Sequence, residues 1–113
     1  MVFEVRLVEN GKIKALRYEL GDLQIETPTS CDGKWRVVVF DIPDKKKVTR
    51  EVLRAKLRHL GFFKLQENVF IHPYECRKEI EIIKEAFEIW PYVNFMVVEE
   101  IDQLEELKEK FQL

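Results

Sequence analysis

The stretch Trp35-Arg36-Val37-Val38-Val39-Phe40-Asp41-Ile42-Pro43-Asp44 decides how the chain is read. Apart from Arg36, residues 35–40 are β-branched or aromatic, with little alternation. That is the pattern of a strand covered on both faces and hence central in a sheet. Pro43 ends it, because proline cannot extend a central strand. Asp44 is placed to cap a helix, its carboxylate accepting free backbone N–H groups. Helical spacing then continues to about residue 60, in Val48, Val52 and Ala55 and in Leu53, Leu57 and Leu60, with basic residues on the remaining faces. Gly61 follows as a stop.

Two further strands are expected over residues 62–66 and 69–72, joined by a short Glu67-Asn68 turn. After Pro73-Tyr74-Glu75, an apolar stripe of Cys76, Ile80, Ile83, Phe87 and Trp90 predicts a second helix, ended by Pro91. Residues 92–98 supply a fourth strand. Asp102-Gln103-Leu104-Glu105 resembles a capping box opening a last helix, with Ile101, Leu104, Leu107 and Phe111 facing inward. The order strand, helix, strand, strand, helix, strand over residues 35–98 predicts an α+β, ferredoxin-like βαββαβ fold with a four-stranded antiparallel sheet. Right-handed crossovers put both helices on one face. Apolar residues on every strand imply that the other face is covered too, and a second copy of the chain is the expected cover.

Composition agrees with one globular domain. The chain has 113 residues, 46% hydrophobic and 35% charged, with four glycines and four prolines, which excludes a disordered or low-complexity chain. The longest apolar run, Val37 to Phe40, is far too short for a membrane span. Met1-Val2-Phe3-Glu4-Val5-Arg6 lacks the pattern of a signal peptide, and Cys31 and Cys76 have no metal-ligand spacing. A cytoplasmic protein with reduced thiols is expected.

The net charge of −2 conceals two opposed segments. Residues 44–60 hold seven basic side chains against Asp44 and Glu51; residues 99–110 hold six acidic side chains against Lys108 and Lys110. These are either solvated helix faces that balance each other or interaction surfaces.

The N-terminal region, 1–31, reads as an extension ending in a linker, with residues 32–113 as the ferredoxin-like domain. Phe3, Val5 and Leu7 alternate as in a strand. An Asn10-Gly11 hairpin would set Glu9 opposite Lys12 and Val5 opposite Leu16. A helix from about residue 10, with Ile13, Leu16 and Leu20 on one face, is the alternative. Residues 23–34, with Pro28, Thr29, Ser30, Asp32 and Gly33, read as a linker.

Residues 35–47, and the run from Gly61 through Asn68-Val69-Phe70-Ile71-His72-Pro73-Tyr74-Glu75 to Cys76, resemble the central domain of PaaX-like (phenylacetate-degradation-type) repressors. That domain is related to the CRISPR-associated protein two family, the small subunit of spacer acquisition. The resemblance extends from Asp32 to Ile101 and implies a ferredoxin-like dimer. Val5 to Leu16 is similar to the end of a winged-helix module, which implies a helix over residues 10–20, without the recognition helix.

The same resemblance implies one catalytic candidate. Asp41 matches a carboxylate assigned to a divalent metal near the dimer axis, so two copies of Asp41 would hold Mg²⁺ and activate water against a phosphodiester. The alternative is that Asp41 accepts N–H groups of its own turn. The acidic residue common after Val69-Phe70 is replaced by Ile71-His72, so little or no nuclease activity is expected and no cofactor is required. His72 reads as a capping or packing residue or a general base, His59 as a helix-terminal cation, and Cys76 as core. Lys45, Lys46, Lys47, Arg50 and Arg54 are the nucleic-acid candidates; with no aromatics among them, duplex DNA backbone is the expected ligand. The leading function is the dimerisation core of a PaaX-like transcriptional regulator. The alternatives are a CRISPR spacer-acquisition subunit partnered by an integrase, as a metal-dependent endonuclease, and a non-catalytic protein-interaction module.

Overall fold

Strand β3 (Trp35–Phe40) occupies the centre of the sheet, as its two-sided burial demands. A computed structural model describes residues 2–9, 12–19, 21 and 23–113, the first two segments as strands without their side chains. The remaining elements of the main body are α1 (Lys47–His59), β4 (Phe63–Gln66), β5 (Val69–His72), α2 (Arg77–Ala86), β6 (Val93–Val98) and α3 (Leu104–Lys110). The strands run in the order β4-β5-β3-β6, each antiparallel to its neighbour. This is the ferredoxin-like arrangement expected from the element order.

Register sorts the side chains. Val38 lies opposite Phe70 and Phe95, while Val37 lies opposite Ile71 and Met96. The first set joins Leu53 and Leu57 of α1 and Ile80 and Ile83 of α2 in the larger core. Val37 and Ile71, with Trp35, pack under Leu107 and Phe111, while Met96 stays exposed; the Trp35 and Phe111 rings are 5.9 Å apart. The face expected to need a second copy is therefore covered in part by the chain's own C-terminal helix. Leu104, expected to face inward, is exposed. Gln103 precedes α3 with φ 62 and no side-chain cap, so the Asp102 capping box does not form.

The N-terminal segments are two antiparallel strands, β1 (Val2–Glu9) and β2 (Lys12–Glu19). Glu9 pairs with Lys12 and Val5 with Leu16, as local alternation predicts. The helix implied over residues 10–20 by the winged-helix resemblance is overturned: strand alternation outweighs the helical spacing of Ile13 and Leu16. The Asn10-Gly11 turn lies outside the described residues. Leu23 is buried and Ile25 packs beside it, so the stretch read as a linker begins with residues of the core.

α1 buries only Leu53 and Leu57, with Leu60 just beyond it; Val48 and Val52 point to solvent at 78% and 45% exposure. Two apolar stripes cannot both face one sheet, and the larger leucines occupy it. The helix ends where Gly61 N–H donates to the Arg58 carbonyl and Phe62 N–H to the Leu57 carbonyl, both at 3.0 Å. Gly61 has φ 95, a backbone that side chains disfavour. Its added Cβ would meet only the His72 ring at 3.5 Å, so the cost of a substitution is chiefly backbone strain. Gly61→Ala should lower stability by about 1–2 kcal/mol, read as a lower urea midpoint with unchanged slope.

Candidate nucleic-acid interface

Three connections meet at one end of the sheet. Phe40 pairs with Val93, and just beyond it the Asp41 N–H donates to the Tyr92 carbonyl at 2.9 Å. The Phe40 N–H donates to the Asn68 carbonyl at 3.1 Å. The turn from β3 to α1, the β4–β5 turn and the approach to β6 thus lie side by side. The first of these folds back through a 3-10 turn, Asp44–Lys46, with Lys46 N–H on the Pro43 carbonyl at 2.8 Å.

Asp44 does not cap α1. The residue before the helix is Lys46, and the Asp44 carboxylate accepts from Arg50 Nη1 at 3.0 Å. The same nitrogen donates to the Ile42 carbonyl at 3.1 Å. Arg54 binds Asn68 and Glu51 and reaches Glu67 at 3.3 Å, while its guanidinium lies 5.8 Å from the centre of the Phe40 ring. Arg58 lies likewise over Phe70. The arginines of α1 are therefore tied to the fold, their side chains covering the edge of the core. Among the described residues, Lys45, Lys46 and Lys47 have no ion-pair partner, and Lys45 and Lys47 are exposed.

Asp41 is exposed and its side chain makes no hydrogen bond among the described residues. Its partnership with the turn is through the backbone. No group of three metal-ligating side chains exists among the described residues. Ile71 is fully buried beneath α3. Cys76 is buried in the core, where burial pushes its thiol up to about 12, so it is protonated and unreactive at neutral pH.

Trp90 departs from its expected place. α2 ends at Ala86, Glu88 takes a left-handed conformation with φ 54, and Ile89, fully buried, replaces Trp90 in the core. Trp90 is left 64% exposed at the end of the sheet that carries the lysines. Sequence reasoning missed it because helical periodicity was extended one turn too far; Pro91 was the available signal for an earlier break.

The opposite end of the sheet is held by Arg36, which is 3% exposed. It grips Asp32 through two hydrogen bonds of 2.9 and 2.6 Å, donates to the carbonyls of Lys34 and Pro73, and approaches Glu75 at 3.4 Å. That pairing lowers the Asp32 carboxyl to about 2. His72, opposite Arg36 in register, accepts the Tyr74 N–H at Nδ1 over 3.1 Å and packs against Phe62. Burial pulls its pKa down to about 4.

Residues 28–110 match the family described as the PaaX protein central Cas2-like domain. The chain belongs to this family. The match covers the whole four-stranded sheet, α1 and α2 and extends through α3. A search of curated proteins finds no match. Within this Cas2-like domain, no helix among the described residues is long and apolar enough to cross a membrane.

The neutral His72 fixes a pH dependence. Its folded pKa lies below the ordinary 6.5, so the unfolded chain binds the extra proton. Stability should be level above pH 6.5, fall as pH drops towards 4, and lose roughly 3 kcal/mol over that window. His72→Asn, which retains an acceptor for Tyr74 N–H, should remove about one proton from the slope. Denaturation midpoints across the pH range check this.

Proposed function

We propose that this chain is the dimerisation core of a PaaX-like transcriptional repressor-type protein, and that it touches duplex DNA through the Lys45–Lys47 turn. The observation that carries the reading is a run of three lysines beside the start of α1, without an ion-pair partner among the described residues and exposed at Lys45 and Lys47, within a domain of this family. A helix N-terminus favours anions, and lysine ammoniums recognise phosphate as point charges. Such contacts position a duplex without reading its sequence. Arg50 and Arg54 contribute indirectly: by neutralising Asp44, Glu51 and Glu67, they leave the lysines in a less acidic surround.

The copy–copy contact is assigned to the outer edge of β6. Among the described residues no strand pairs with that edge, and Met96 and Val97 remain 42% and 39% exposed on it. An unpaired edge bearing apolar side chains is a template for a second strand. Sedimentation at micromolar concentration should show a dimer; a 13.6 kDa species alone would overturn it.

Changing Lys45, Lys46 and Lys47 together to Glu should abolish duplex binding, and the wild-type affinity should fall with salt with a log–log slope of about −3. Affinity that stays flat with salt excludes phosphate contact. The spacer-acquisition reading requires a metal and has exposed Asp41 as its candidate ligand. Cleavage of DNA or RNA with Mg²⁺ or Mn²⁺ that disappears in Asp41→Ala would favour that reading over the repressor core; we expect no cleavage by either protein.

A further inference from the structure

We infer that Trp90 is a stacking platform for an unpaired base of a nucleic-acid strand whose phosphates lie along Lys45, Lys46 and Lys47. The inference rests on the lysine contact proposed above and extends it: the same phosphate contact, made to duplex, also serves a strand with an unstacked base. A tryptophan normally buries most of its surface, yet Trp90 is 64% exposed. Its backbone is nevertheless firmly held. Ile89 on one side is fully buried, Pro91 follows within the same 3-10 turn, and Tyr92 N–H donates to the Ile89 carbonyl at 2.9 Å. The Tyr92 carbonyl in turn accepts the Asp41 N–H, which ties the platform to the turn that carries the lysines. An aromatic face on a fixed base loses little conformational freedom when a ligand lands on it.

Local charge suits a polyanion. Asp44 is engaged by Arg50, and Glu67 by Lys64 and Arg54. Among the described residues, Asp41, Glu85 and Glu88 are exposed carboxylates at this end of the sheet without an ion pair, against three lysines likewise without one. Ammonium groups next to an aromatic face are the combination by which single strands are held: phosphates by charge, bases by stacking, with little dependence on sequence.

The chain has two tryptophans, and Trp35 is 3% exposed, so emission quenching by a ligand at the surface reports on Trp90. Oligothymidylate should quench the exposed component, and Trp90→Ala should weaken oligothymidylate binding about tenfold. The same variant should bind blunt duplex as wild type does, while the triple lysine-to-Glu variant loses both ligands. Oligouridylate quenching as strongly as oligothymidylate assigns recognition to base and phosphate; a DNA-only response adds the sugar, and either outcome supports stacking. If Trp90→Ala leaves oligothymidylate affinity unchanged, or weakens both ligands equally, stacking is overturned while the lysine contact stands. If wild type binds neither ligand, both readings fall. A blue shift that grows with protein concentration, without quenching by oligonucleotide, also overturns the inference and makes Trp90 a contact between copies.

Discussion

Arg36 is the interaction on which the central pair of strands depends. A guanidinium at 3% exposure is costly to remove from water, and only well-directed partners offset that cost. Here they come from three segments that meet at this end of the sheet: Asp32 and Lys34 before β3, Pro73 after β5, and Glu75 ahead of α2. Glu75 has a second task. Its other oxygen accepts the Arg77 N–H at 2.8 Å, so one carboxylate joins the buried cation to the first turn of α2. The entry of β3, the exit of β5 and the start of the second helix are thereby fixed together. His72, beside the cation, is held neutral by desolvation, and the nearby positive charge adds to it in the same direction.

The basic helix shows why charge counts in a sequence do not translate directly into a binding surface. Seven cations lie between residues 44 and 60. Arginine, with its planar fork and weakly hydrated head, serves structural pairing better than lysine. Arg50, Arg54 and Arg58 follow that preference, lying along the sheet with acidic partners or aromatic rings beneath them. The compact, strongly hydrated lysines of this turn take no such partners among the described residues, and Lys45 and Lys47 are exposed. A field that looks uniform in the sequence is divided by side-chain chemistry into one part that holds the fold and one part available to a ligand.

The order of elements was legible because β3 is apolar on both faces and because Pro43, Gly61 and Pro91 punctuate the chain. The Schellman ending at Gly61 and the hairpin register of Glu9 with Lys12 follow from residue types alone. Misreadings arose where periodicity was asked to choose between competing faces. Val48 and Val52 repeat at helical spacing as well as Leu53 and Leu57 do, and only the sheet decides between them. Trp90 continues the α2 stripe in sequence, but the left-handed Glu88 turns the chain and gives its place to Ile89. The network around Arg36 was invisible for another reason: Asp32, Arg36 and Glu75 are brought together by strand pairing, and nothing in their spacing announces it. At the lysine turn, the residue types were legible and their freedom from partners was not.

The cover over the second sheet face constrains how copies can meet. α3 has only seven residues, too few to persist without tertiary contacts. It is held by Leu107 and by Phe111 against Trp35, both directly over β3. A partner seated on the middle of that face would have to displace α3 and expose Trp35, Val37 and Ile71. The β6 edge carries no such cost: Met96 and Val97 are already partly in solvent, and among the described residues no strand pairs with its outer side. Pairing there extends the sheet and leaves α3 in place.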